Sequence, residues 1–408
     1  MIRRRFLSGA GAAVAGSLAG CNLSLREGLL NACLAAMPSD LAHHPLVEVA
    51  WRDIDPSQFW DVHCHLFGNG DSGRGLFANK AITDPTLPQE YVRRLFFLNA
   101  GCAHDSPGKV DASVVDRLAN QLEAFPPGAK VMLLAFDWAR DAQGRPDTEG
   151  SAFYVPDAYA ANVAAANPAR FEWIASVHPS DPAAEDRLDA AKALGARAVK
   201  WLPQAQRIDP GSPRCDAFYR KLVALELPLL THAGDEQAVR SVDEGLGNPL
   251  RLRRALDRGV RVIVAHCASL GEGRDLDRGE TGPTIPNFSL FARLMDVPAY
   301  RGLLFADISA LTQANRMDVL PLVLERDDWH ARLLDGSDYP LPGILPLVSL
   351  DGLVSRGLLD PTAIAPLRAI RGHNALLFDF VLKRSVAHRG RRFAPRIFAT
   401  RPHFATAS

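Results

Sequence analysis

Eight apolar runs alternating with helix-patterned segments predict an α/β fold for this 408-residue chain, a parallel sheet closed into a (β/α)8 barrel. Most of the runs, which recur between residues 59 and 338, are apolar on both faces, as strands covered by helices must be. The intervening stretches, among them Pro182–Leu194, Cys215–Leu225, Pro249–Asp257 and Ser289–Met295, carry helical periodicity. From the second run onward the starts are about 26 to 42 residues apart, room for one strand, one helix and two loops. A doubly wound open sheet is the competing arrangement. It usually has a glycine-rich phosphate loop after its first strand, and His63-Cys64-His65 is not one.

In chain order, residues 1–20 read as an export signal, with Arg3-Arg4-Arg5-Phe6-Leu7 followed by an Ala/Gly/Leu run too short for a permanent membrane helix. The arginines resemble a twin-arginine signal, which exports folded proteins, and Leu18-Ala19-Gly20-Cys21 resembles the lipobox of bacterial lipoproteins. That resemblance implies a lipid on Cys21, the first mature residue, and a protein anchored to a membrane in the bacterial periplasm or at the cell surface. Folding before export also lets a protein take up its metal in the cytoplasm. Residues 21–55 follow as a tether, and the barrel is expected over 56–380.

The first strand, 59–65, ends in His63 and His65; alternation predicts that these two share one face while Val62 and Cys64 share the other. The gap from 66 to 130 is too long for one crossover and reads as an insertion over the barrel mouth, with helical stretches at Pro88–Asn99 and Ser113–Phe125. The remaining strands are expected at Val131–Trp138, Phe171–His178, Arg197–Leu202, Pro228–Ala233, Arg261–Cys267, Leu303–Ser309 and Arg332–Asp338. Residues 381–408 form a basic tail; from 383 it holds seven Lys/Arg and no acid. A solvated, disordered tail is one expectation, and contact with anionic lipid headgroups near Cys21 the other.

Composition narrows the function. The formal charge is zero and becomes −3 without the three leader arginines, 43 basic against 46 acidic residues, so nothing suggests a nucleic-acid partner. No long apolar span interrupts the body. Besides Cys21, five cysteines remain with no Cys-x-x-Cys spacing, which indicates neither a zinc ribbon nor a dense disulfide framework. Cys64 and Cys267 read as small buried apolar residues.

The strand ends carry the chemistry. Strand 1 ends in His63 and His65, strand 3 in His178, strand 4 in Lys200, strand 5 in His232, strand 6 in His266, strand 7 in Asp307 and strand 8 in Asp338. Five of the twelve histidines thus fall at one end of the expected barrel, the end where such folds keep their sites. Imidazoles converging with carboxylates suit a divalent metal, above all Zn²⁺.

In these residues the chain resembles the amidohydrolase superfamily, in particular the branch that includes aminocarboxymuconate-semialdehyde decarboxylase-like enzymes. The match runs through His63/His65, Ala198-Val199-Lys200-Trp201-Leu202-Pro203, Leu230-Thr231-His232-Ala233-Gly234, Val264-Ala265-His266-Cys267, Gly336-Ser337-Asp338-Tyr339-Pro340 and Arg371-Gly372-His373-Asn374-Ala375, over roughly 59–380. The resemblance implies a TIM barrel in which His63, His65 and His232 hold one or two divalent ions. Asp338 would be a metal-proximal proton acceptor. His266 would be a second-metal ligand or would polarise the substrate. Lys200 would be either a carbamate bridging two ions or a cation for a substrate anion or a carboxylate. His178 and Asp307 are expected to hydrogen-bond behind the ligands. The resemblance further implies hydrolysis of an amide, ester or lactone of a small molecule, with nonoxidative decarboxylation as the alternative and non-catalytic metal binding a third reading. For a decarboxylase, Arg74 or Lys200 is the expected carboxylate clamp, and the 66–130 insertion and Gly271–Asn287 are the expected specificity loops.

Overall fold

Eight parallel strands close on themselves in the computed structural model, which describes residues 25–103, 107–279 and 281–404. They are β1 Trp60–His65, β2 Lys130–Leu134, β3 Phe171–Ile174, β4 Val199–Trp201, β5 Leu229–Thr231, β6 Val262–Val264, β7 Leu304–Asp307 and β8 Leu333–Leu334. Strands β1 to β3 form one ladder and β4 to β8 another. Two bridges join them, Ala175 with Val199 and Cys64 with Tyr339. The backbone N–H groups of Val62 and His65 donate to the carbonyls of Asp335 (3.1 Å) and Tyr339 (3.0 Å) across the second seam. No open edge remains between β8 and β1, so the open-sheet arrangement does not hold. The expected export signal and Cys21 lie outside the described residues.

The barrel lumen is filled by inward side chains, Val62, Met132, Leu134, Ile174, Leu230 and Ile263 among them, while Cys64 packs with the outer helices. Val62 and Cys64 therefore do not share a face, contrary to strict alternation. The β1–β2 register shifts between Asp61 and Cys64, the extra residue of a bulge that re-aims the strand end. Asp61 supports the kink, its Oδ1 accepting from the N–H groups of His63 (3.0 Å) and Ser337 (2.8 Å).

The insertion divides in two. Helix α1, Pro88–Ala100, borders the mouth, whereas α2, Val110–Leu122, buries Val114, Leu118 and Leu122 against the barrel. Gln121 of α2 donates to the Tyr339 hydroxyl and accepts from the N–H groups of Ala375 and Leu376, which makes α2 wall rather than lid. A Cys33–Cys102 disulfide ties the N-terminal segment to the end of α1. Beside it the Asn99 side-chain amide accepts from the Asn31 N–H (2.7 Å) and donates to the Asn31 carbonyl (3.1 Å).

The expected solvated tail is corrected. Helix α3, Ala375–Ser385, runs into a segment that buries Phe393, Ile397, Phe398 and Phe404 beneath the barrel, so apolar residues every few positions outweigh the basic composition. Thr400 Oγ1 accepts from the Trp60 N–H (2.8 Å) and donates to the Trp60 carbonyl (2.5 Å). Lys383 is wholly buried between Asp379 and Asp335, with its Nζ donating to the Gly336 carbonyl.

Candidate metal centre

The bulge in β1 and the ends of β4, β5, β6 and β8 bring His63, His65, Lys200, His232, His266 and Asp338 to one cavity. Ring centroids of His63 lie 5.1 Å from His65 and 5.0 Å from His266, which lies 5.3 Å from His232. Asp338 sits at their centre, with Oδ1 3.2 Å from His65 Nε2 and 3.5 Å from His63 Nε2, and Oδ2 3.7 Å from His266 Nε2. Non-glycine residues with left-handed backbone cluster at this end, His266 (φ 54°) and Asp338 (φ 57°) among them, as surroundings that over-determine a functional site allow.

Three of the imidazoles are tied down through one nitrogen, while the other faces cavity side chains: Lys200 and Asp338 at His63, Glu236 at His232 and Asp338 at His266. His63 Nδ1–H donates to Asp307 Oδ2 (2.9 Å) and His232 Nε2–H to the Asp235 carbonyl (3.2 Å). His266 Nδ1–H donates to Ser309 Oγ (2.7 Å), whose hydroxyl donates to Asp307 Oδ1. Such partners fix the tautomer and orientation of a metal-binding histidine. Burial, with Lys200 beside it, lowers the His63 pKa to about 4, and burial with Arg316 lowers His232 to about 3. Both rings are therefore neutral near pH 7, with lone pairs available for a cation.

The donor set fits a divalent ion: the ligand atoms of His63, His65 and Asp338 lie within 4.8 Å of one another. A second grouping, His63 with His266 and Asp307, is equally tight, but the Nδ1 atoms there are already spent on Asp307 and Ser309. The first is the better ligand set. Lys200 Nζ stands 3.0 Å from His63 Nε2, and burial lowers its pKa to about 8.

Several expected residues lie elsewhere. His178 does not support the ligands; its Nε2 donates to the Gln206 carbonyl, and its backbone joins an Asp137–Arg187 network around β3. Arg74 is exposed and does not border the cavity. The Gly271–Asn287 loop is a hairpin, Glu272–Arg274 against Thr284–Pro286, that supplies none of the cavity's described lining. His330 is buried away from the cavity.

Two residues at the cavity were not foreseen. Glu236, five residues beyond the end of β5, points Oε2 to within 3.5 Å of His232 Nδ1, while Oε1 accepts from the N–H groups of Ala238 (2.6 Å) and Val239 (3.0 Å). Arg316 is buried in the loop after β7. The acid four positions after His232 was a readable signal; nothing local marks Arg316. The cavity has a volume of about 410 Å³, and Phe67, Phe97, Phe153, Ile344 and Leu347 make it mainly apolar away from the histidines.

A sequence model of the amidohydrolase family matches residues 60–344, from β1 past Asp338. A search of curated proteins returned no match. Among solved structures, the chain is similar to an uncharacterised TIM-barrel protein of Bordetella bronchiseptica at 17% identity, covering 76% of this chain and 94% of the other, TM-score 0.45. It is also similar to 5-carboxyvanillate decarboxylase of Sphingomonas paucimobilis (14% identity, 77% and 97% coverage, TM-score 0.39). A zinc-bound amidohydrolase of Burkholderia multivorans gives 14%, 76% and 95%, and 0.41. These structural likenesses are too loose to speak to activity.

Proposed function

This chain belongs to the amidohydrolase family and is an enzyme of that superfamily, and we propose that it is a metal-dependent hydrolase adding water to the carbonyl of an amide, ester or lactone. The observation that carries this reading is Asp338, a carboxylate held among histidines whose other nitrogens are tied down. His63 Nε2, His65 Nε2, His232 Nδ1 and Asp338 would hold the ion, with His266 Nε2 turned towards a second ion or the substrate carbonyl. Zinc suits these ligands, and when bound it would polarise the carbonyl and ease deprotonation of water. Asp338 is placed to take the proton from the attacking water and pass it to the leaving group. A protonated Lys200 so close to His63 would repel a dication. We read Lys200 as the residue whose neutral amine would add to CO₂ with loss of a proton, the resulting carbamate then serving as an anionic metal ligand.

Asp338→Asn keeps the shape and removes the base. On the esters, lactones and amides that wild type turns over, rates should fall by roughly 10²–10⁴-fold. Full activity of the variant on a confirmed substrate, or CO₂ release as the only activity, would overturn the hydrolase reading.

We also infer export and lipid anchoring at Cys21. Arg3-Arg4-Arg5 and Leu18-Ala19-Gly20-Cys21 support it, as does the Cys33–Cys102 disulfide, a bond that persists in oxidising compartments. Lipid labelling of wild type should vanish in Cys21→Ala; equal labelling would sink the inference.

A further inference from the structure

We infer that Arg316 is the residue that recognises the substrate, and that the substrate carries a carboxylate on an apolar body about the size of an aromatic ring. This rests on reading the metal cavity as the active site.

Arg316 is only 7% exposed and borders the cavity. Its one described side-chain hydrogen bond is from NH1 to Ser269 Oγ at 3.0 Å, a neutral hydroxyl, and its Nε, like those of Arg117 and Arg140, has no partner. Among the described residues no carboxylate comes within ion-pair distance of it. The other buried arginines are better satisfied. Arg371 donates to the carbonyls of Pro342, Ile344 and Leu345, Arg117 to those of Leu34 and His373, and Arg140 pairs with Asp181. A guanidinium has five donors, and burying it with most of them unmatched is costly unless something else arrives to match them. Of these buried arginines, the one so left is the one facing the cavity.

A carboxylate is the complement that a planar fork fits best, through two parallel N–H···O bonds. The other cavity cations are less suited: Arg93 is half-buried and already paired with Glu90 at 2.8 Å, Arg94 is half-buried, Lys200 stands against His63 Nε2 at 3.0 Å, and Arg240 is exposed. The same cavity is lined by Phe67, Phe97, Phe153 and Ile344, which offer apolar surface. An anion on an apolar body satisfies both at once, whereas a neutral polar substrate would leave Arg316 unmatched and waste the apolar surface. Loops after β6 and β7 hold the arginine in place through Ser269 and the left-handed turn at Ala310 (φ 57°). It therefore acts by binding and orientation rather than by proton transfer.

The test is calorimetric titration of full-length protein with benzoate, benzamide and inorganic phosphate, before and after zinc loading, in wild type, Arg316→Met and Arg316→Lys. Benzoate should bind wild type at least about tenfold more tightly than benzamide, and Arg316→Met should lose that preference while benzamide affinity holds. Arg316→Lys should fall between, since it keeps the charge but not the fork; it carries the test if the Met variant misfolds. Unchanged benzoate affinity in both variants, no benzoate binding to wild type, or tighter binding of phosphate than of benzoate would each overturn the inference. Zinc content measured on the same samples separates the two readings. Arg316-dependent benzoate binding by a protein that takes up no zinc would sink the metal-enzyme reading alone. Zinc uptake without benzoate discrimination would sink this one alone.

Discussion

Asp307 Oδ2 lies 2.9 Å from Nδ1 of His63, both groups almost wholly buried, while its Oδ1 accepts the backbone N–H of His266 at 2.9 Å. One carboxylate at the end of β7 thus orients two histidines from β1 and β6 without itself facing the Nε2 of either. Replacing it by Asn keeps the volume and removes the charge that favours the Nδ1–H tautomer. Asp307→Asn should weaken metal binding by about 10–100-fold, measured by competition with a chromophoric chelator. Undiminished affinity would show that the carboxylate does no more than fill space.

A second prediction concerns pH and lies under the barrel, away from the cavity. Burial, reinforced by Asp335, pushes the Asp379 carboxyl up to about 8 despite the contact with Lys383. The folded chain therefore retains a proton that the unfolded chain, with an ordinary carboxyl, releases near pH 4. The stability this contributes is whole below about pH 4 and is lost as pH rises through about 8. Asp379→Asn cannot ionise, so urea denaturation should show the variant gaining on wild type between pH 5 and 9. A gap independent of pH would contradict the shift.

A third concerns the roof of the cavity. The Cys33–Cys102 bond closes a loop with a sequence separation of 69 and anchors the end of α1, whose Phe97 borders the cavity. Cys33→Ser with Cys102→Ser should lower stability by about 2–4 kcal/mol and raise KM more than it lowers kcat. Wild-type stability and KM in the double variant would show that the strap is incidental.

The strands were legible because most are apolar on both faces and because the barrel repeats one unit. His63, His65, His232, His266 and Asp338 were legible as polar residues breaking those runs at one end. Four features were not. The bulge in β1 depends on Asp61 accepting from the Ser337 N–H, 276 residues away, so a strict alternation put Val62 on the wrong face. The C-terminal segment looks solvated by charge count, and only the contacts of Thr400 and Phe404 with the barrel floor reveal it as structural. Arg316 and Glu236 sit on loops, where no periodicity says which way a side chain turns. The disulfide pairs cysteines that nothing in their spacing joins.

The central claim is that these histidines hold metal, and elemental analysis of purified protein tests it most directly. Wild type should carry about one or two divalent ions per chain, and the double variant His63→Ala, His65→Ala should retain at most about a tenth of that, since two of few ligands are gone. A folded double variant with undiminished metal, or a wild type that takes up none on loading, would contradict the account.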